Sequence, residues 1–100
     1  MKLDPQTIKK IQTLIGFSKR SRTLKYGMDN ITRKANLILL SDSMSQTGIG
    51  KIQKKANEQK TKLVTLKNEQ FGEFFDEGIK VVSIEEKGLA NAIYQLMEEI

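Results

Sequence analysis

A dense group of basic residues stands near the beginning of the chain, in the stretch GFSKRSRTLKYGMDN at residues 16–30. Four side chains within a run of seven positions are basic, namely Lys19, Arg20, Arg22 and Lys25. Two positive charges would suffice to complement the C-terminal dipole of a preceding helix. The remaining charge, with Arg33 following shortly afterwards, is suited to neutralising the phosphates of an anionic ligand.

A glycine and two short polar residues follow this basic group. Because Gly27 has no Cβ, it lets the backbone approach a ligand closely. We expect a short helix after it, with Met28 or Asp29 in the first turn, whose free N–H groups would point at a phosphate or a base edge. The amide of Asn30 can donate and accept hydrogen bonds together, as the reading of a base edge requires. These residue types predict contact with nucleic acid.

The patterns that could carry catalysis are incomplete. SQTGIGKI at residues 45–52 departs from the phosphate-binding loop G-x-x-x-x-G-K-[ST], since Ser45 replaces the first glycine and Ile52 the final hydroxyl. The chain has neither histidine nor cysteine. Nothing supplies the apolar pocket that would separate the pKa values of its paired carboxylates, Asp76-Glu77, Glu85-Glu86 and Glu98-Glu99. We therefore expect no enzyme activity, no cofactor, no metal and no small-molecule substrate.

Charge is distributed unevenly along the 100 residues, whose formal net charge is +5. Residues 1–67 hold 15 Lys and Arg against 4 Asp and Glu, whereas residues 68–100 hold 2 against 8. A field of one sign over two-thirds of a chain favours a polyanionic partner. A well-solvated surface explains such charge equally well, so charge alone leaves both interpretations open.

Neither a membrane segment nor an export signal is predicted. No apolar run approaches the roughly 20 residues that cross a bilayer, and MKLDPQTIKK lacks the apolar core of a secretory signal. We expect a cytoplasmic protein with no membrane partner.

The apolar pattern predicts helices that alternate with short strands. Asp4 and Pro5 are typical of a helix start, and apolar residues then recur at helical spacing to about Ser18. Further helices are predicted around residues 49–56 and from about residue 86 to the end, with a short one holding Phe71, Phe74 and Phe75. Apolar runs at residues 37–40, 63–66 and 81–84 have the length of buried strands. This alternation implies one α/β domain over residues 1–100, with helices on both faces of a small sheet.

Four stretches together carry a family resemblance: IGFSKRSRTLKYG at 15–27, KANLILLSDSMS at 34–45, FG at 71–72 and VVSIEEKGLANAI at 81–93. In this order they resemble the kink-turn RNA-binding ribosomal proteins of the L-seven-Ae and L-thirty-e type. The small bacterial YlxQ-like branch is the most similar. The resemblance implies a three-layer α-β-α sandwich with a small mixed four-stranded sheet, and no enzymatic activity.

The resemblance also implies a binding site. In that family a Gly-x-Asn-Glu-x-x-Lys helix start enters the widened groove of a kink-turn beside tandem G·A pairs, and a loop covers the flipped-out nucleotide. The positions that match the helix start are Gly27, Asp29, Asn30 and Arg33. The positions that match the covering loop are Leu66, Lys67, Asn68 and Glu69.

Two hypotheses follow, because the segment from Gly27 to Leu37 is shorter than in that family by roughly one and a half helical turns. The first is a monomeric, non-catalytic RNA-binding protein, ribosome-associated, that docks on structured RNA such as ribosomal RNA. Its bases would meet Gly27, Asp29 and Asn30, and its phosphates Arg20, Arg22, Lys25, Arg33 and Lys67. The second is a protein-interaction module of the same fold that has lost kink-turn recognition and uses the acidic residues 76–99.

Overall fold

The computed structural model describes residues 4–98, in which helices and strands alternate. The helices are α1 Pro5–Arg20, α2 Gln46–Gln59, α3 Asn68–Phe71 and α4 Lys87–Glu98. The strands are β1 Leu24–Tyr26, β2 Leu37–Ser41, β3 Lys62–Leu66 and β4 Val81–Ile84, and a short 3₁₀ helix, Met28–Asn30, follows β1. No helix within residues 4–98 is long and apolar enough to span a lipid bilayer.

The four strands form one mixed sheet in the order β1-β4-β2-β3. β2 and β3 are parallel, and β4 runs antiparallel to both of its neighbours, β1 and β2. β1, β2 and β3 therefore point in the same direction. Their carboxyl ends meet at one edge of the sheet, together with the start of β4, and their amino ends meet at the opposite edge.

Each face of the sheet buries its own apolar cluster. Because side chains alternate along a strand, Leu37 and Leu39 of β2 join one cluster, while Ile38 and Leu40 join the other. The first cluster packs against α1 and α4, and the second against α2. Since helices cover both faces of a mixed four-stranded sheet, the predicted three-layer α-β-α sandwich is confirmed.

The first helix begins as the sequence predicts and ends later. Oδ1 of Asp4 accepts a hydrogen bond from the backbone N–H of Thr7 at 2.8 Å, and Pro5 occupies the first helical position. The helix continues beyond Ser18 to Arg20, because Ser18 itself is fully buried and belongs to the packed face.

The segment after β3 is held by its aromatic side chains. α3 ends at Phe71, and Phe74 and Phe75 follow in the next turn, with all three rings buried in the cluster shared with α1 and α4. The ring centroids of Phe71 and Phe75 lie 4.9 Å apart. This packing fixes the loop that leads back to the start of β4.

The structure differs from the sequence prediction in three local details. β1 was not predicted, because it is a three-residue edge strand that buries only Leu24. The helix expected after Gly27 is a single 3₁₀ turn, since Ile31 adopts extended backbone and buries its side chain. The last helix begins at Lys87 rather than Glu86, whose carboxylate accepts hydrogen bonds from the first N–H groups instead. The predicted end of that helix at Ile100 lies outside the described residues.

Candidate nucleic-acid interface

Loops from distant parts of the chain meet at each end of the sheet. We call the end where β1, β2 and β3 finish the carboxyl edge, which comprises residues 27–30, 42–45, 67–70 and 76–80. We call the opposite end the amino edge, which comprises residues 20–23, 32–36, 60–61 and 85–87. The predicted site residues are distributed over both edges.

The turn after β1 forms one part of the carboxyl edge. Gly27 has φ +89°, a conformation that favours glycine, and its N–H donates to the carbonyl of Val81 at 3.0 Å. Nδ2 of Asn30 donates to the carbonyl of Tyr26 at 2.8 Å, which closes the turn. One N–H and the oxygen of that amide remain available, and Asp29 is exposed beside it. This turn can therefore offer polar groups to a ligand.

The loop after β3 forms a second part of the carboxyl edge. The backbone N–H of Asn68 donates to Oδ1 of Asp42 at 3.0 Å, and its side-chain Oδ1 accepts from Oγ of Ser41 at 3.2 Å. These bonds fix the loop against the end of β2 and leave Lys67 exposed. Leu66 is only 1% exposed and lies in the core. Its predicted place in the covering loop is corrected, because it is the last residue of β3 and its side chain belongs to the core cluster.

A groove of about 380 Å³ lies between the turn after β1 and the start of β4. Its lining is mainly apolar, with Tyr26, Gly27, Met28, Met44 and residues 78–81 around it. Tyr26 is 40% exposed, one of two large hydrophobic side chains on the described surface with such exposure. An exposed aromatic ring at the mouth of a groove can stack on an unpaired base.

Sequence reasoning did not assign Tyr26, Met44 or Lys80 to the site. The signal for Tyr26 was its position directly before Gly27 at the end of the basic group. Met44 and Lys80 carry no local signal, because only the crossing order of the strands brings the ends of β2 and β4 beside β1.

The basic group near the beginning of the chain and Arg33 do not line this groove. Arg20 and Arg22 precede β1 and Arg33 precedes β2, so all three belong to the amino edge. Lys25 lies in the middle of β1, paired in register with Ser83 of β4. The hypothesis that one RNA meets these arginines and the turn after Gly27 together is corrected, because β1 separates the arginines from the turn.

The two edges differ in charge. The amino edge holds more bases than acids: Arg20, Arg22, Arg33, Lys34, Lys60 and Lys87 against Glu85 and Glu86. The carboxyl edge holds more acids than bases: Asp29, Asp42, Glu69, Asp76 and Glu77 against Lys67 and Lys80. The carboxyl edge is therefore suited to the hydrogen-bond donors of bases and the amino edge to phosphates.

The comparisons with known proteins bear on the fold alone. No family model matches the chain, and no curated protein matches it. Among solved structures the chain is similar to a protein of unknown function from Bacillus halodurans C, with 17% sequence identity and a TM-score of 0.75. The match covers 89% of this chain and 97% of that one. The architecture is thus shared with a natural protein over almost its whole length.

Proposed function

We propose that the protein is a non-catalytic, ribosome-associated RNA-binding protein that docks on structured, kink-turn-like RNA through its carboxyl edge. The observation that supports this most directly is the groove beside Gly27. There the exposed ring of Tyr26, the polar turn and Lys80 come together from segments that are distant in sequence. The resemblance to the kink-turn-binding ribosomal proteins predicts its RNA contact at the same turn. The proposal includes a cytoplasmic location and a monomeric state.

The chemistry of the turn is suited to bases rather than to phosphates. The carboxylate of Asp29 can accept hydrogen bonds from the amino groups of bases, and the free half of the Asn30 amide can donate and accept. Tyr26 supplies a stacking surface that tolerates any base. Unpaired and non-canonical bases are the features by which proteins recognise structured RNA. RNA with a sharp bend therefore fits this edge better than a regular DNA duplex.

The exposed lysines of the carboxyl edge complete the proposed contact. Lys80 before β4 lines the groove, and Lys67 at the start of α3 belongs to a neighbouring loop of the same edge. They can neutralise the phosphates on either side of a base held there. Each such contact should make the logarithm of the binding constant fall by roughly 0.7–0.9 per logarithmic unit of salt.

A comparison of two RNAs tests the proposal. We expect the protein to bind a kink-turn RNA more tightly than a fully paired duplex of the same length in fluorescence anisotropy titrations. Tyr26→Leu keeps the apolar side chain and removes the stacking ring. Because stacking on an aromatic side chain contributes roughly 1–3 kcal/mol per base, this variant should lose about 5- to 150-fold in kink-turn affinity.

The control variant is Tyr26→Phe, which keeps an aromatic ring at the same position and removes only the hydroxyl group. It should leave the preference for the kink-turn over the duplex unchanged. If both variants bind the kink-turn RNA as tightly as the original protein, or if the original protein shows no preference between the two RNAs, the proposal is wrong.

The charge of the carboxyl edge favours one other function, a protein-interaction module of the same fold. Its exposed acids Asp76 and Glu77 belong to the loop before β4 and would meet a basic protein partner. Purification from cells before and after nuclease treatment separates the two functions. RNA binding predicts that partners are lost on treatment, whereas the module predicts that a protein partner is retained.

A further inference from the structure

The loops of the amino edge are joined by hydrogen bonds that converge on Glu85. Its backbone N–H donates to the carbonyl of Thr23 at 2.8 Å. Its own carbonyl accepts from Nδ2 of Asn36 at 2.8 Å, and its carboxylate accepts from Oγ1 of Thr32 at 2.8 Å. The connections that lead into β1 and β2 are therefore tied to the end of β4.

The connection between α2 and β3 joins the same network. Nε2 of Gln59 donates to the carbonyl of Thr32 at 2.9 Å, and Oγ1 of Thr61 donates to the carbonyl of Ala35 at 3.2 Å. All four connections at this edge are thus linked across the sheet. These hydrogen bonds fix the backbone from which the basic side chains of the edge project.

Two of those basic residues occupy positions at which helices favour glycine. Arg22 follows α1 with φ +61°, and Lys60 follows α2 with φ +56°. Both lie in the left-handed region, where a side chain costs backbone free energy and glycine does not. Both side chains are exposed, so core packing does not require them. A cation at a strained position in both connections indicates a role for the charge itself.

The acids of this edge do not neutralise its cations. The Glu85 carboxylate is bonded to Thr32, and the Glu86 carboxylate accepts from the N–H groups of Gly88 at 2.9 Å and Leu89 at 2.7 Å. No Lys or Arg among residues 4–98 forms an ion pair with a carboxylate. The positive charge of the amino edge is therefore free to act on a ligand.

Arg20 and Arg33 add to this charged surface. The guanidinium carbon of Arg20 lies over the ring of Phe17, 4.7 Å from its centroid. A guanidinium held by its face keeps its in-plane N–H groups for a phosphate. Arg33 lines an open cleft of about 670 Å³ together with Lys55 and Glu58 of α2.

We infer that the amino edge is a second RNA-binding surface, which holds the phosphate backbone of a separate, regularly paired RNA segment. Arg22 and Lys60 stand at the two outer strands of the sheet, and Arg33 lies between them. Three strand spacings of about 4.8 Å place the two ends of this row roughly 14 Å apart. A row of that length fits a polymer of regularly spaced charges better than a single small anion. The inference goes beyond the proposed function, because it needs no recognition of bases at the carboxyl edge.

The decisive experiment uses the double variant Arg22→Gly with Lys60→Gly. Glycine relieves both positive φ angles, so this variant should unfold at the same temperature as the original protein or a higher one. From counterion release alone, two lost phosphate contacts should weaken binding to a fully paired RNA duplex about 25- to 60-fold at about 0.1 M salt. The slope of the binding constant against salt should fall by about 1.4–1.8. A loss of affinity in a more stable protein cannot be attributed to unfolding.

The matched control is Lys9→Gln with Lys10→Gln, which removes the same net charge from the first half of α1. It should change duplex affinity far less than the glycine variant. If the glycine variant and the control bind the duplex equally well, the inference is wrong. Binding to anionic lipid vesicles without binding to the duplex would also overturn it.

The same titrations separate this inference from the proposed function. If the original protein shows no preference for kink-turn RNA but the glycine variant loses duplex affinity, the proposed function fails and the second surface stands. If the kink-turn preference is present and the glycine variant binds the duplex as the original protein does, the second surface alone fails.

Discussion

Replacing Ser83 by alanine should stabilise the protein. Ser83 lies in β4 between Lys25 of β1 and Ile38 of β2 in register, and its side chain is 0% exposed. Its Oγ has no hydrogen-bond partner among the described residues. In water that hydroxyl would be fully hydrogen-bonded, so its burial opposes folding.

The magnitude follows from the cost of an unsatisfied buried hydroxyl, which is roughly 1–3 kcal/mol. Alanine removes that cost and leaves almost no cavity, although its weaker strand preference offsets a part. We therefore expect a net gain of about 1 kcal/mol in the free energy of unfolding. For a chain of 100 residues, this corresponds to a rise of roughly 4–8 °C in Tm.

Two other serines among residues 4–98 are fully buried, and they serve as matched controls. Oγ of Ser18 donates to the carbonyl of Leu14 at 3.3 Å inside α1. The lost bond in Ser18→Ala is offset by the helix preference of alanine, so Tm should change little. Oγ of Ser41 bonds to Asn68 and Ser43. Ser41→Ala leaves those groups without this hydrogen-bond partner and should lower the free energy of unfolding by about 1–2 kcal/mol.

Urea unfolding of the three variants at equal m-value measures these differences directly. We expect the stability of the variants to fall in the order Ser83→Ala, Ser18→Ala, Ser41→Ala. A Ser83→Ala protein that unfolds at lower urea than the original, or as early as Ser41→Ala, would show that the Ser83 hydroxyl is satisfied and would refute the argument.

Two further predictions concern pH and glycine positions. The backbone N–H of Thr7 holds the pKa of Asp4 below its usual range, and those of Leu89 and Gly88 do the same for Glu86. Because folding lowers both pKa values, their stabilisation is present above the ordinary carboxyl pKa and is lost as the pH falls through the lowered native one. The double variant Asp4→Asn with Glu86→Gln should therefore show a smaller fall of Tm on acidification, and an unchanged pH profile would contradict this. Gly78→Ala should lower stability by about 1 kcal/mol because φ is +95° there, whereas Gly50→Ala, with open space at its Cβ in α2, should raise it by about as much. Thermal unfolding of the two variants measures these effects, and a Tm that shifts equally in both would contradict the assignment of backbone strain at Gly78.

The sequence predicted the elements with strong apolar patterns and missed the weak one. The runs at 37–40, 63–66 and 81–84 became β2, β3 and β4 because they are buried on one or both faces. β1 has only Leu24 buried, and Lys25 interrupts its apolar character, so no period could reveal it. Its partner strand β4 is more than half the chain away in sequence, as the pairing of Leu24 with Ile84 shows.

The missed strand also explains the error in the candidate site. Sequence proximity placed Arg22 beside Gly27, but five residues that are mainly extended span up to roughly 16 Å. A residue before a strand and a residue after it must lie at opposite edges of the sheet. The residue types of Arg22 and Gly27 could be interpreted from the sequence alone, whereas the distance between the two residues depends on β1.

The short turn after Gly27 and the position of Arg33 at the amino edge have the same physical cause. A helix rises about 1.5 Å per residue, so a full helix after Gly27 would keep Arg33 within roughly 9 Å of the turn, at the carboxyl edge. Here the 3₁₀ turn ends at Asn30, and Ile31 and Thr32 continue away from it until Thr32 meets the Glu85 carboxylate. Extended backbone advances about 3.3 Å per residue, roughly twice the rise of a helix, and the hydrogen bond from Thr32 to the Glu85 carboxylate fixes the residue before Arg33 at the end of β4. The early end of this turn therefore places the positive charge of Arg33 at the amino edge rather than at the carboxyl edge. Lengthening it by four helix-forming residues after Asn30 should transfer affinity from paired duplex to kink-turn RNA, and duplex affinity that stays unchanged in a folded insertion variant would contradict this link.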